Sequence, residues 1–301
     1  MRFWRRENES MLLGGLECGG TKMVCAVGDE KGRITERRVI PSESPEVTMP
    51  QIFRFFKSFP VVALGIAAFG PLDLNLKSPT YGYITSTTKL SWRNFDLLGR
   101  IKDELNIPCG FDTDVNGAVL GEITYGCMKG LNNAIYMTVG TGIGIGVYAN
   151  GALLHGMLHP EGGHVLVRRH PDDHFKGSCM YHKDCLEGMA SGSALNARLG
   201  FGAEALSADD PVWEFESYYL AQAIVSYILT LSPEKIVLGG GVMNRSELFP
   251  MIRRDVVKLL GGYVVSEKID KIDEYIVPSV LGGNQGVMGC MKLAYDAACI
   301  S

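Results

Sequence analysis

Residues 12–22 read Leu-Leu-Gly-Gly-Leu-Glu-Cys-Gly-Gly-Thr-Lys, an apolar run that turns on Gly19-Gly20 and is apolar again through Met23-Val24-Cys25-Ala26-Val27. Apolar run, glycine turn, apolar run is the pattern of a β-hairpin. The turn offers backbone N–H groups, the Thr21 hydroxyl and the Lys22 ammonium. Glycines let backbone approach an anion closely, so the turn suits phosphate oxygens; a hairpin that needs glycine only for positive φ is the plainer reading. Gly15, four residues and Gly20 nearly spell a P-loop. However, Thr21-Lys22 reverses the Lys-Ser/Thr order, and strand-like residues follow where that motif requires a helix.

A second stretch repeats the device. Residues 132–149 run Asn-Asn-Ala-Ile-Tyr-Met-Thr-Val-Gly-Thr-Gly-Ile-Gly-Ile-Gly-Val-Tyr-Ala. Two such hairpins about 120 residues apart imply two related half-structures serving one nucleotide. Gly144-x-Gly146-x-x-Ala149 loosely matches a dinucleotide fingerprint, but that site needs a helix after the glycines, whereas Asn150-Gly151 signals another hairpin turn.

The 301 residues suffice for two domains. A net charge of −4 offers no basic field for nucleic acid. No apolar run approaches the ~20 residues of a membrane span. The first ten residues lack the apolar core of a signal peptide; they are expected to form an extension before the first strand and are given no function. The eight cysteines are scattered, several among apolar neighbours (Cys25, Cys109, Cys127, Cys290), as in a reduced cytoplasm.

Along the chain, strands are expected near 32–40, 61–69, 107–111, 235–238 and 275–277. Helices are expected from Pro50 as first helical residue to Phe59, from Trp92 to Leu105 with Asp96 in the first turn, over 117–126, over 190–200, and over 211–231, with Val212, Phe215, Tyr219, Ala223 and Tyr227 on one face. A last helix follows Gly282–Gly286. The turn Gly70-Pro71-Leu72-Asp73 closes a buried strand, an edge where α/β folds hold ligands.

Glu17-Cys-Gly-Gly-Thr-Lys22 and Val139-Gly-Thr-Gly-Ile-Gly144 resemble the two phosphate motifs of the ROK family of sugar kinases. The resemblance runs from about Met11 to the C-terminus. It implies an α/β fold of two actin-like, ribonuclease-H-like domains with a cleft between them: residues 11–119 plus 286–301, and residues 120–285. It also implies ATP as co-substrate, Mg²⁺, a hexose as substrate and closure that excludes water. A homodimer in the cytoplasm is expected, with no nucleic acid or membrane partner.

Carried over residue by residue, Gly19, Gly20, Thr21, Lys22, Gly140, Thr141 and Gly142 would hold phosphates. Gly239, Gly240 and Gly241 would lie against adenosine, although a strand-to-helix turn also uses glycine. Thr113-Asp114-Val115-Asn116 resembles the family's Asn-Asp-x-Asn motif, with Thr113 replacing an amide. Asp114 is then the catalytic base, with an N-cap as the local alternative. Glu17 and Asp114 would hold Mg²⁺, since carboxylates beside phosphates need a cation between them; a solvent-facing strand residue is the alternative for Glu17. Asn116, Glu161, His164 and Glu187 would bind sugar hydroxyls, with Asp73 a further candidate. His155, His159, His170 and His174 match no motif and are read as surface or structural.

Cys179-x₂-His182-x₂-Cys185, with His164 upstream, makes a four-ligand set suited to structural zinc. A Cys179–Cys185 disulfide and a chance cluster are the alternatives; the family's loop usually carries three cysteines. Glu-x-Gly-Gly-Thr-Lys, Thr-Asp-Val-Asn and His-Pro-Glu-x-Gly-His together resemble the fructokinase branch, giving fructose 6-phosphate. Mannose or glucose is the alternative substrate. A sugar-responsive repressor would need a DNA-binding segment ahead of residue 11, and a zinc interaction module would not need Asp114 or the paired hairpins.

Overall fold

A computed structural model of the chain describes residues 10–202 and 206–300; most of the expected 1–10 extension lies outside the described residues. The chain divides into two compact units. The first runs to Lys129, takes in Gly156–His159 and resumes at Leu281; the second comprises Gly130–His155 and Pro160–Val280. The division after Lys129 differs from the expected 119/120 boundary, because the helix at 114–125 packs within the first unit against the C-terminal helix.

The first unit contains strands β1 (Leu13–Cys18), β2 (Lys22–Gly28) and β3 (Ile34–Pro41), helix α1 (Pro45–Phe56), strands β4 (Ala63–Ala68), β5 (Tyr83–Ile84) and β6 (Phe95–Asp96), helix α2 (Leu97–Leu105), strand β7 (Cys109–Thr113) and helix α3 (Asp114–Tyr125). Its main sheet has the order β3-β2-β1-β4-β7. The outer pairs β3–β2 and β2–β1 are antiparallel, while β1–β4 and β4–β7 are parallel. Gly15, Gly65 and Gly110 stand in register across the three parallel strands. A Cβ on them would lie 2.8 Å from the Val287 carbonyl, 1.7 Å from that of Cys290 and 2.5 Å from that of Leu293. This glycine stripe lets the backbone of the C-terminal helix (Gln285–Ile300) lie directly on the sheet. The other face buries Ile52, Phe56, Ile66 and Trp92.

The second unit contains β8 (Ala134–Val139), β9 (Ile143–Ala149) and β10 (Ala152–Leu153), helices α4 (Leu186–Ala190), α5 (Gly192–Leu199) and α6 (Val212–Leu231), strand β11 (Lys235–Gly239), helices α7 (Leu248–Leu260), α8 (Glu267–Asp270) and α9 (Ile272–Tyr275), and strand β12 (Ile276–Pro278). The C-terminal helix of the first unit is α10. The sheet order, β10-β9-β8-β11-β12, repeats that of the first unit strand for strand, with the same parallel and antiparallel pairs. Helix α6 is buried on several sides through Trp213, Tyr219, Leu220 and Ile224, so the single expected face is only part of its contact surface.

Three local expectations change. Helix α1 begins at Pro45, the residue whose missing N–H suits a first turn; Pro50 lies inside the helix. Asp96 is the N-cap of α2, accepting the Gly99 N–H at 2.8 Å, so the helix starts five residues later than Trp92. The expected helix 190–200 is preceded by α4, and the break falls at Ser191, whose side chain caps α5 by accepting the Ala194 N–H at 3.1 Å.

Candidate functional site

In the first unit, parallel pairing sets Cys18, Ala68 and Thr113 side by side at the carboxyl ends of β1, β4 and β7. The chain leaves this edge through Gly19–Lys22, Phe69–Pro71 and Asp114, so three candidate segments share one rim, as expected for α/β sheets. The β1–β2 turn closes with the Gly19 N–H donating to the Lys22 carbonyl at 2.9 Å.

Thr113, not Asp114, caps α3: its hydroxyl accepts the Asn116 N–H at 3.1 Å. Asp114 is therefore the first helical residue, its Oδ1 accepting the Val115 N–H at 2.9 Å. The local alternative for Asp114 is thus taken by its neighbour, and the carboxylate stands in the first turn, where a helix favours negative charge. Asn116 is fully buried and its amide nitrogen donates to Asp112 Oδ1 at 2.7 Å. Asp112 also accepts the Thr113 N–H, so it orders this turn from within.

Glu17 is not a solvent-facing strand residue. Burial pushes its carboxyl up, and Lys22, Arg37 and a hydrogen bond from the Val287 N–H pull it back. That N–H belongs to the first turn of α10. A Cβ on Gly286 would lie 2.5 Å from the Glu17 carboxyl carbon. Glu17 precedes Cys18 at the end of β1 and Asp114 follows Thr113 at the end of β7, so both carboxylates belong to this rim. Two hard oxygen donors beside a phosphate-type turn fit Mg²⁺.

Asp73 is spent on its own loop. It accepts the Ser78 and Thr80 hydroxyls and the Asn75 N–H, and the first two hold its carboxyl below the ordinary range. His159 is buried, and its Nε2 accepts the Leu72 N–H at 3.2 Å, the structural role expected of it.

In the second unit, β8 and β11 end together, with Thr138 opposite Gly239. The three-residue turn Gly140–Gly142 closes with the Gly140 N–H on the Gly142 carbonyl at 2.9 Å. The start of α5 grips it from outside: the Gly192 and Ser193 N–H groups donate to the carbonyls of Gly140 (2.7 Å) and Thr141 (3.3 Å). Of the adjacent glycines, Gly240 has φ +92° and lies under the Val139 carbonyl, where a Cβ would come to 2.4 Å. Gly239 meets the Tyr136 hydroxyl, whereas nothing lies within 4 Å of a Cβ on Gly241. Local packing accounts for the first two glycines and leaves the third to other causes.

Glu161, His164 and Glu187 come together in this unit. The Glu161 carboxyl keeps exposed surface yet is crowded by surrounding chain. That desolvation, and then the Glu187 charge, push it up to about 7. Glu187 Oε2 accepts the Ile143 N–H at 3.0 Å, and Oε1 lies 3.9 Å from His164 Nε2. A Cβ on Gly142 would be 2.6 Å from Glu187 Oε2, so a larger residue there would displace the carboxylate. Tyr227 donates to the Gly162 carbonyl at 2.7 Å, fixing the 161–164 segment on α6.

The four expected metal ligands converge. One donor atom each from His164, Cys179, His182 and Cys185 lies within 4.8 Å of the others. His164 Nδ1 is 3.8 Å from Cys179 Sγ and 3.6 Å from Cys185 Sγ; His182 Nδ1 is 3.8 Å from Cys179 Sγ. Tetrahedral zinc requires sulfur–nitrogen separations of about 3.6 Å, so the set fits that ion. The two cysteines are free thiols, not a disulfide. Burial and then Cys179 push the Cys185 thiol up to about 11, so a bound divalent cation must expel its proton. The reciprocal backbone bonds of Cys179 and Lys183, with Lys183 at φ +62°, make the tight turn that brings His182 round.

The sequence reading missed three features: the Glu187–Ile143 bond, the α10 N–H on Glu17, and Lys89, which lies beside the first turn. Only Lys89 had a local signal, as a lone cation in the polar stretch 80–90.

The ROK family profile matches residues 13–297. A protein of Bacillus subtilis (strain 168) is 50% identical over 287 residues, spanning 95% of this chain and 96% of its own length. The fructokinase of Pediococcus pentosaceus is 46% identical over 287 residues, spanning 95% of this chain and 99% of its own. Among solved structures, the ROK hexokinase of Thermus thermophilus matches 97% of this chain and 100% of its own, with a TM-score of 0.77 and 24% identity, a likeness of fold.

Proposed function

The chain belongs to the ROK family, and on that premise we propose that it is a fructokinase, passing the terminal phosphoryl group of ATP to the primary hydroxyl of fructose to give fructose 6-phosphate. The fructokinase relative at 46% identity supports the sugar. The observation that carries the chemistry is Asp114: its neighbour Thr113 does the capping, which leaves a carboxylate at the rim beside the Gly19–Lys22 turn.

In this reading Asp114 accepts the proton of the sugar hydroxyl as its oxygen attacks phosphorus. Gly19–Lys22 and Gly140–Gly142 hold the phosphates through N–H groups, the Thr21 and Thr141 hydroxyls and the Lys22 ammonium. Gly239–Gly241 receive the adenosine. Most of the barrier reduction in such transfers comes from positioning and charge stabilisation. Glu17 and Asp114 would hold Mg²⁺, which when bound screens the phosphate oxygens. Glu161, His164 and Glu187 accept or donate to sugar hydroxyls, and Asn116 orders the Asp114 turn through Asp112. Zinc on His164, Cys179, His182 and Cys185 is structural: its closed ligand set leaves no position for substrate. The proposal places the enzyme in the cytoplasm, where ATP is made and thiols stay reduced, as a homodimer that sedimentation can test.

The test is ADP release measured over a panel of hexoses, with product analysis. Fructose preference and fructose 6-phosphate are expected. Preference for glucose or mannose would move the sugar assignment; no ADP release with any hexose would remove the kinase reading.

A further inference from the structure

Lys89 is a cation that the reading above does not use. Its backbone is fixed on both sides: its N–H donates to the Thr87 hydroxyl at 3.2 Å, and its carbonyl accepts the N–H of the buried Trp92 at 2.9 Å. Trp92 is in turn tied to residue 43 by its indole N–H on the Glu43 carbonyl at 2.6 Å. The side chain crosses the face of Phe69, with the ammonium 5.7 Å from the ring centroid. Nζ donates to the Ser42 hydroxyl at 3.0 Å and the Ser42 carbonyl at 3.2 Å.

Ser42 is the residue that touches the first hairpin turn: its N–H donates to the Thr21 carbonyl at 3.1 Å. A methyl group on Gly20 would lie 4.0 Å from Lys89 Cε. The ammonium is thus held next to Gly20 and Thr21, in the same unit and on a separate loop from Lys22. Among the described residues no carboxylate lies within ion-pair distance of it. Two of its three N–H bonds can be met by Ser42, leaving one for another acceptor. The charge is half-buried, and desolvation lowers the ammonium below its ordinary range. A cation in that position gains from a nearby anion what burial costs it.

We propose that Lys89 is a second phosphate-binding cation of the β1–β2 turn, contacting the terminal phosphate of a nucleoside triphosphate. This rests on the kinase reading above. Lys22 is an exposed residue of the turn itself, whereas Lys89 is pre-positioned from outside by Ser42 and Phe69. A pre-positioned cation loses little side-chain freedom when the anion arrives, and a half-dry setting strengthens the contact. A purely structural role would need only hydrogen bonds to Ser42, which a neutral amide also supplies.

The test is calorimetric binding of ADP and of a non-hydrolysable ATP analogue, both with Mg²⁺, to the full chain. Lys89→Met, Lys89→Gln, Lys89→Arg and Ser42→Ala are compared with wild type. A lost hydrogen bond to a charged group predicts that Lys89→Met and Lys89→Gln weaken the triphosphate analogue by about 10- to 100-fold and ADP by less than about threefold. Their kcat should fall with fructose KM little changed. Lys89→Arg should recover part of the loss, and Ser42→Ala, which keeps the charge, should stay within a few-fold of wild type. Lys89→Gln carries the test should Lys89→Met fold poorly. Equal weakening of both nucleotides, no weakening, or a Ser42→Ala loss as large as that of Lys89→Gln overturns the proposal. Wild type that binds neither nucleotide overturns the kinase reading, and this proposal with it.

Discussion

The hairpins β1–β2 and β8–β9 occupy the same place in two sheets of the same strand order, yet their turns are supported differently. The first spans Gly19–Lys22 and brings a hydroxyl and an ammonium, with Lys89 alongside. The second spans only Gly140–Gly142, carries no charge, and is gripped by α5 and by Glu187, two residues beyond a candidate zinc ligand. One backbone device has been given charge and a single outside N–H, from Ser42, in one unit, and no charge but two outside N–H groups, from Gly192 and Ser193, in the other. Loss of the base at the first unit's rim should therefore appear in kcat, loss of Lys89 there in both kcat and triphosphate affinity, and damage around the second turn in KM alone.

The largest expected effect tests the charged side. Asp114→Asn keeps size and helix position and removes the base. It should lower kcat by at least ~10³-fold with hexose binding largely intact. Full activity would move the base elsewhere. Asp112 is the next candidate, although its hydrogen bonds to Thr113 and Asn116 already engage it.

Metal removal tests the supported side. Cys185→Ser, or chelation, should raise hexose KM by about 10- to 100-fold and more than ATP KM, with zinc restoring the chelated protein. The ATP term should not be nil, because Glu187 reaches from the loop to Ile143. Metal analysis of active, chelator-free protein should give about one zinc per chain; less than about a tenth would refute the site.

These contrasts also show where the sequence was legible. Both hairpins, the central strands and the Cys179-x₂-His182-x₂-Cys185 spacing of the candidate metal set announce themselves locally, because apolar runs, glycine turns and short spacings are properties of neighbouring residues; His164, 15 residues before Cys179, enters the set only through the family resemblance. Pro45 and Pro50 both suit a first helical turn, and the helix starts at the earlier one, with Thr48 and Met49 buried in its first turns. The break at Ser191 has a local signal in Ser191-Gly192-Ser193, but that Ser191 both ends α4 and caps α5 is seen only in the hydrogen bond it accepts from Ala194. Long-range construction was not legible at all. Lys89, a lone cation in its stretch, is brought to the first turn only when Ser42 bonds to Thr21, and Glu17 acquires its Val287 donor from the far end of the chain. The same holds for the glycine stripe, whose members lie in three strands.

A smaller effect follows from Glu161. A carboxyl pushed up to about 7 is charged above that pH and neutral below it. If the charged form accepts sugar hydroxyls, hexose KM rises by about tenfold as pH falls from 8 to 6, while ATP KM changes little. Glu161→Gln should flatten this profile. A profile that persists in that variant would assign the titration to another group.

The smallest effect comes from a matched pair of cap deletions. Thr113 caps α3 on the charged side, and Ser191 caps α5 on the supported side, each through one side-chain oxygen and one backbone N–H at 3.1 Å. Removing either cap should cost about 1 kcal/mol locally, read as faster amide exchange in the first turn of the affected helix. The functional consequences should differ. In Thr113→Ala the disturbed turn carries Asp114, so kcat should fall a few-fold with ATP KM steady. In Ser191→Ala the loosened residues are Gly192 and Ser193, whose N–H groups grip Gly140 and Thr141. There ATP KM should rise by about three- to fivefold, since 1 kcal/mol shared with the turn permits no more. If both variants changed the same kinetic constant, the difference in support between the two turns would have no functional counterpart.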